Sequence, residues 1–321
     1  MNQKEQNRAL VQEFATQAFW QPELREKLLA ADVTMDFPNA PPGMPQNMDT
    51  FDTRMFLKWL GRTVSSYEAS IQELYGTPDP NVFWVVGEVK ADVLWGWEPG
   101  KLETRMFSRV ELRDGKVGYV KAAWNPLKFL EAANLEIPLF KMDLQDGRVM
   151  GFLAYEADGE PYEAPTPAVD TVAAKQRMLT NLELHRREDY TEAKHTMSVS
   201  APDCTSAVWF LPPEMRESYS EQEMPYVEAW TNASCHSLAF APEGKWWETD
   251  DPYVYFAEFM CDGEVDWIGN STSGAHYRNR YFYIYRFDEF GRVTRCEEVL
   301  NPINKFNSIG VSLPSFPYYF R

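Results

Sequence analysis

"RCEEVLNPINKF", Arg295–Phe306, has an echo in the first half of the same chain, "YVKAAWNPLKFL", Tyr119–Leu130. Superposing Asn125-Pro126 on Asn301-Pro302 sets Ala122 against Glu298, so the same strand end occurs once with a carboxylate and once without. Working outward, Asp79-Pro80 opens "DPNVFWVVGEVKADVLWGW" and Asp251-Pro252 opens "DPYVYFAEFMCDGEVDWIG". Each is followed by two strand-like runs, "LETRMFSRVELRDGKVGYVKAAWNP" and "YRNRYFYIYRFDEFGRVTRCEEVLNP". Upstream lie helical segments, with Leu10, Val11, Phe14 and Phe19 near a 3.6 period in one copy and Val172, Met178, Leu179 and Leu182 in the other. Each copy therefore reads as helices followed by an antiparallel meander, and the whole as an internal duplication. The Gly, Pro and acidic residues of "QDGRVMGFLAYEADGEPYEAPTPAVD" predict a linker over 145–170, between a first domain at 1–144 and a second at 171–321. Two fused copies of one module predict an intramolecular pseudo-dimer, with further homo-oligomerisation left open.

Composition bounds the function. The 321 residues are 44% hydrophobic and 15% aromatic, which predicts a folded chain with a core in each half. Charge interrupts every apolar run before it reaches the ~18 residues a membrane span needs, and the start "MNQKEQNRALVQEF" lacks a signal-peptide pattern, so a cytoplasmic protein is expected. A formal charge of −17 argues against binding nucleic-acid phosphates. Cys204, Cys235, Cys261 and Cys296 are widely spaced without C-x-x-C and read as reduced, mostly buried thiols. His185 and His195 have no metal-ligand spacing, and no phosphate-binding or nucleophile-elbow motif occurs, so neither a metal nor another cofactor is implied. His236 reads as a packing or capping residue on a helix.

The turn "DEFG" joins Tyr277–Phe287 to Arg292–Leu300, and Asp114-Gly115 does the same in the first copy. Pairing outward from these turns sets Glu298 opposite about Phe282, with Arg280 a diagonal neighbour on the same face, and Ala122 opposite about Phe107, near Arg105. Glu298 and Arg280 are thus expected to share a pocket or a structural ion pair. Cys296 shares the face of Glu298, whereas Glu297 faces the other way, toward solvent or an interface.

"GTPDPNVFW", "VELRDGKV", "YRNRY" and "EEVLNPINKF…GVSLP" resemble the PhzA/PhzB phenazine-biosynthesis proteins, of the superfamily that also holds nuclear transport factor 2, the SnoaL polyketide cyclases and ketosteroid isomerase. The resemblance implies two cystatin-like α+β cone domains, each a curved antiparallel sheet with helices whose open end takes a small-molecule substrate. It also implies acid–base chemistry without a cofactor, in condensation, cyclisation, isomerisation or dehydration. The family glutamate, three residues before the Asn, falls on Glu298 in the second copy and on Ala122 in the first. The second copy is then the candidate active site and the first a degenerate one, its cavity around Ala122, Arg105 and Val86 filled by aromatics such as Trp84 and Trp124, or empty. The family histidine falls on Phe56 and near Val227 or Glu228, and the family's Glu-Asn-His becomes Arg278-Asn279-Arg280.

The candidate site is accordingly Glu298 as proton carrier, with Arg280, Glu258, His276, Asn279 and Phe282 as substrate-binding residues. Glu258 shares a strand face with Phe256 and Met260 and could orient a substrate amine or pair with an arginine. His276 lies on the face of Arg280 and could titrate at the site mouth. Trp84, Trp95, Trp97, Trp267, Tyr281, Tyr283 and Tyr285 could stack a planar ring or form core. A binding or carrier protein of the same fold is the alternative to an enzyme.

Overall fold

The computed structural model describes residues 2–18, 21–157, 174–176, 178–179, 200–216, 223–240, 245–270 and 274–318. The chain forms two compact units, one of Met1–Ile137, Thr249–Asp251 and Leu313–Arg321, the other of Pro138–Glu248 and Pro252–Ser312. Both are α+β.

Unit 1 opens with α1 (Gln3–Glu13), whose first turn is closed by a reciprocal capping box between Asn2 and Glu5. A π-helical turn, Phe14–Ala18, leads to α2 (Pro22–Leu28) and β1 (Leu29–Asp36). After β2 (Asn47–Met48), Asp49 caps α3 (Thr50–Thr63), which buries Phe56 and Trp59. The meander follows as β3 (Val64–Gly76), β4 (Val82–Val93), β5 (Gly100–Arg113) and β6 (Lys116–Trp124), and α4 (Pro126–Ala132) closes it. The sheet order is β2-β1-β6-β5-β4-β3. Every meander pair is antiparallel, while β1 joins β6 in parallel. The sequence pattern does not announce β1, whose burial follows no strict alternation.

Unit 2 repeats the plan. Its described elements are α5 (Gly147–Ala157), β7 (Ser200–Trp209), α6 (Met224–Ser234), β8 (Cys235–Phe240), β9 (Lys245–Glu248), β10 (Val254–Val265), β11 (Ala275–Phe287), β12 (Val293–Val299) and α7 (Pro302–Ser308). The order β7-β12-β11-β10-β8, with β9 also on β10, matches unit 1 if β8 and β9 together stand for β3. Again the first strand pairs with the last in parallel. Residues 174–176 and 178–179 are helical, as the periodicity predicts, with Ala174 and Met178 buried. Phe19, Val172, Leu182, His185, His195 and residues 158–170 of the predicted linker lie outside the described residues. The linker expectation is corrected at 147–157: Val149 is fully buried and Arg148 donates to Asp266 at 2.6 Å, so this stretch is packed helix. His236, expected on a helix, is an exposed residue of β8.

The echo that opens the sequence is a structural unit. Asn125 and Asn301 each end a strand and cap the next helix, accepting from Leu127 and Ile303 at 3.1 Å, with proline in the first turn. Both hairpins are where the turn residues put them. Asp114 and Gly115 have φ of 49° and 70°, and Gly291 has 79°, left-handed conformations that suit glycine.

One register feature corrects the sequence reading. Phe287 pairs with Val293, but Arg286 pairs with Arg295, so Thr294 is an extra residue on the outgoing strand. The first copy has the same bulge: Leu112 pairs with Val117 and Glu111 with Tyr119, leaving Gly118 over. A one-residue slip turns every later side chain to the other face. Glu298 therefore stands opposite Tyr283, not Phe282, and Ala122 opposite Ser108, not Phe107.

The cores share an aromatic plan. Trp59 stacks on Trp95 with centroids 5.5 Å apart in unit 1, and Trp230 stacks on Trp267 at 5.5 Å in unit 2. Each stack is edged by a phenylalanine, Phe316 on Trp95 at 5.4 Å and Phe140 on Trp267 at 6.2 Å. These two come from equivalent stretches, "IPLF" ending at Phe140 and "LPSF" ending at Phe316, yet Phe140 belongs to unit 2 and Phe316 to unit 1. The two copies exchange their tails.

Candidate functional site

On β11 the odd residues Tyr277, Asn279, Tyr281, Tyr283 and Tyr285 are all buried and share one face with Glu298 and Cys296 of β12 and with Phe259 and Cys261 of β10. Tyr281, Tyr283 and Tyr285 stack in a ladder, centroids 5.9 and 5.5 Å apart. Asn279 donates to the Tyr277 hydroxyl at 2.7 Å and to the Asn301 carbonyl at 3.0 Å, and its Oδ1 accepts from Asn304 at 3.0 Å, tying the strand to the cap of α7. The Tyr277 and Tyr281 hydroxyls meet at 2.8 Å.

Into this face α7 sends Lys305, only 5% exposed. Its ammonium lies 3.8 Å from the centroid of the Trp267 ring, with Tyr277 and Phe140 at 5.8 and 6.0 Å. Among the described residues it has neither a hydrogen-bond acceptor nor an ion pair. Burial pushes Glu298 up to about 7, against the opposing pull of Lys305 and of Tyr283. Burial pushes Lys305 down to about 8, against the attraction of Cys235, Glu298 and Cys261. Burial also raises Cys296 well above the ordinary thiol range and Cys235 to about 12, so these thiols stay protonated. Glu298 and Cys296 are nonetheless half-buried, not fully enclosed.

A stability prediction follows. Between about pH 4.5, the ordinary glutamate value, and about 7, the folded chain keeps the Glu298 proton that the unfolded chain releases. The contribution is full below the lower value and lost as pH rises through the upper one. Urea denaturation of wild type and Glu298→Gln at about pH 5 and about pH 7.5 should show the wild type losing ground to the variant at the higher pH. A difference that does not move with pH would mean Glu298 is not held protonated.

The other predicted site residues are on the opposite face. Arg280 donates to Glu258, pairing with it rather than with Glu298 as expected, and Phe282 stands opposite Glu258 in the register. His276 is exposed and meets Asp262 at 2.7 Å, with Arg278 beside it at 3.5 Å. Glu297, expected at solvent or an interface, is 5% exposed and accepts from Arg295 at 2.6 Å and Arg286 at 3.3 Å. Of the predicted set, then, only Asn279 joins Glu298. The bulge at Thr294 is the reason. Lys305 was missed, although the echo carried a signal for it: where Glu298 becomes Ala122, Lys305 becomes Phe129.

The matching face of unit 1 is apolar. Ala122, 1% exposed, stands beside Ser108, Val120 and Trp124, and Arg105 and Val86 lie on the other face of the sheet, which corrects the expected surroundings of Ala122. Trp84 also lies on that other face, against Phe107 at 5.1 Å. What remains is a cavity of about 60 Å³ lined by residues including Phe56, Tyr67, Trp95, Thr104, Trp124 and Phe129, with no charged residue in its lining. The positions at which the resemblance expects a histidine hold buried Phe56 in unit 1 and half-buried Val227 or exposed Glu228 in unit 2. Of the aromatics proposed for stacking, Trp97 is 97% exposed and belongs to neither interior. Among the described residues no helix is long and apolar enough to cross a membrane.

Comparison with known proteins fits this plan. The family model "Phenazine biosynthesis protein A/B" matches residues 1–146, the copy without the glutamate. Phenazine biosynthesis protein PhzA1 of Pseudomonas aeruginosa is 29% identical over 28% of this chain, which spans about half, 56%, of that relative's length. The crystal structure of a phenazine biosynthesis-related protein from P. aeruginosa aligns with 46% of this chain and 93% of its own at 16% identity and a TM-score of 0.38. A polyketide cyclase structure from Xanthomonas campestris aligns with 41% and 99% at 14% identity and a TM-score of 0.34. An uncharacterised PhzA/B-like protein of P. aeruginosa is 32% identical over 30% of this chain and 68% of its own length, and on that match the chain belongs to the PhzA/PhzB family.

Proposed function

We propose that this protein is a cofactor-independent acid–base enzyme of natural-product biosynthesis that works from the inner face of unit 2, with Glu298 carrying the proton. The observation that carries the reading is a carboxyl that shares a sheet face with the buried tyrosines Tyr281, Tyr283 and Tyr285, where burial raises it to about 7 and the buried Lys305 acts on it electrostatically. Proton transfer is most effective when the group's pKa lies near the working pH, because both protonation states are then within reach. The names of the relatives, phenazine biosynthesis proteins and a polyketide cyclase, support a small carbonyl or nitrogenous metabolite as substrate. Isomerisation, dehydration, and condensation or cyclisation through an enolate or enamine carbon of such a compound all begin by removing a proton from the carbon next to a carbonyl or imine.

That shared first step gives a test that needs no named product. Small-metabolite extract from the source cells, incubated in D₂O with the protein, should show one or more metabolites gaining deuterium with wild type and not with Glu298→Gln. Loss of the general base should slow the exchange by about 10²- to 10⁴-fold. Equal labelling by the two proteins would remove Glu298 from the role. The second reading, a carrier that binds without reacting, is favoured by Phe56, and by Val227 or Glu228, standing where the family resemblance expects a histidine. It predicts a metabolite recovered with the protein in stoichiometric amount, unlabelled and of unchanged mass.

A further inference from the structure

Where unit 2 has Glu298, Leu300 and Lys305, unit 1 has Ala122, Trp124 and Phe129. The exchange takes away both ionisable groups and supplies two aromatic rings, and with them one new hydrogen-bond donor, the Trp124 indole N–H. The cavity beside these residues measures about 60 Å³, several times the ~10–15 Å³ that admits one water, and none of its lining residues is charged. The Phe129 ring stacks on both Trp95 and Trp124, with centroids 5.0 Å away in each case and planes inclined by 17° and 23°. Only four of the lining residues carry a polar side-chain atom. The Trp95 N–H donates to the Thr63 hydroxyl at 3.0 Å. The Thr104 hydroxyl donates to the Arg105 carbonyl at 3.0 Å and accepts from the Asn125 N–H at 3.2 Å. Burial holds the Tyr67 hydroxyl in its protonated form. The Trp124 N–H, on a residue 7% exposed, has no acceptor among the described residues. A buried donor left without an acceptor is costly, and a lone water is a poor remedy in an apolar space, since it needs about two to four polar partners of its own.

We propose that the cavity of unit 1 is a binding site in its own right, for a small uncharged aromatic compound whose single hydrogen-bond acceptor, a carbonyl oxygen or ring nitrogen, takes the Trp124 N–H. An apolar, aromatic lining with one placed polar group is the usual make-up of a small-molecule site: the lining supplies the binding energy and the polar group sets the orientation. A carboxylate is excluded, because it would be desolvated there with no cation to meet it. The inference is independent of the role given to Glu298, since every residue it uses lies in unit 1.

The test uses the whole protein, ¹⁵N-labelled, and three probes of one ring each: acetophenone, isopropylbenzene, which has the same outline without the acceptor, and benzoate. One indole N–H signal, assigned to Trp124 by its absence from Trp124→Phe, should move downfield as acetophenone is added. Benzoate, whatever it binds elsewhere, should leave that signal in place. Affinities followed on the ligand signals should show the acetophenone-to-isopropylbenzene ratio falling about tenfold from wild type to Trp124→Phe, the worth of one hydrogen bond. Taking the ratio cancels the change of shape that the substitution brings. Ala91→Leu, which narrows the cavity from a strand that does not carry Trp124, should weaken both uncharged probes. The inference is overturned if no indole signal follows acetophenone, if benzoate moves the same signal, if the ratio is unchanged in Trp124→Phe, or if Ala91→Leu leaves both affinities as they were. The wild-type titrations need no substitution, so they decide the matter even where a variant fails to fold.

Discussion

Ala122→Glu, which restores the family glutamate to unit 1, should cost about 3–5 kcal/mol of stability, the range for a buried charge without its partner. Ala122 is 1% exposed on a face whose sheet neighbours are Ser108, Val120 and Trp124, and Phe129 stands where unit 2 has Lys305. The new carboxyl would have to be held protonated or draw water into an apolar interior. Adding Phe129→Lys should recover part of the loss, because the two charges then offset one another. The reverse exchange, Glu298→Ala with Lys305→Phe, should stabilise unit 2 by about 1–4 kcal/mol at neutral pH, as replacing buried charges by well-packed apolar groups commonly does. It should also abolish ligand binding there. Denaturation midpoints of the four proteins decide the matter: a cost below about 1 kcal/mol for Ala122→Glu would show that the interior of unit 1 is not dry. The chain would on this account have given up stability in one unit to keep a charged interior.

The second large effect concerns the exchanged tails. Phe316 is 2% exposed and touches Trp59, Trp95 and Phe129, with centroids 5.9, 5.4 and 6.0 Å away. Truncating it to alanine should cost about 3–5 kcal/mol, the usual range for a buried phenylalanine. The loss should fall on unit 1, although Phe316 follows the second repeat in sequence. Phe140, fully buried against Trp267 and Phe306, should weaken unit 2 instead. Amide hydrogen exchange separates the outcomes, since protection should drop in β4 and β5 for Phe316→Ala and in β10 and β11 for Phe140→Ala. Losses confined to the repeat that contains each substitution would contradict the exchange.

The two predictions also show where sequence reasoning carried and where it stopped. The duplication, the meanders, the hairpin turns and the Asn-Pro helix starts were legible, because each depends on local chemistry: alternation, a left-handed turn residue, a side chain that caps a helix. The bulges were not. Thr294 and Gly118 look like ordinary strand residues, and nothing local says that one of them is surplus to the pairing. That single residue moved Arg280, Glu258, Phe282 and His276 away from Glu298 and left Asn279 with it. The tails were illegible for another reason. "IPLF" and "LPSF" suit either aromatic stack, because the stacks are themselves copies. Lys305 escapes the strand pattern altogether, since it lies on the helix that follows the last strand.

The tail exchange bears on how the protein is made. A chain leaves the ribosome in order, and domains generally fold as their residues emerge. Residues 2–137 appear first, yet Phe316, which seals the Trp59–Trp95 stack, follows every strand of unit 2. Unit 1 is begun first and completed last, so its aromatic core stays unsealed for as long as synthesis of the second copy takes.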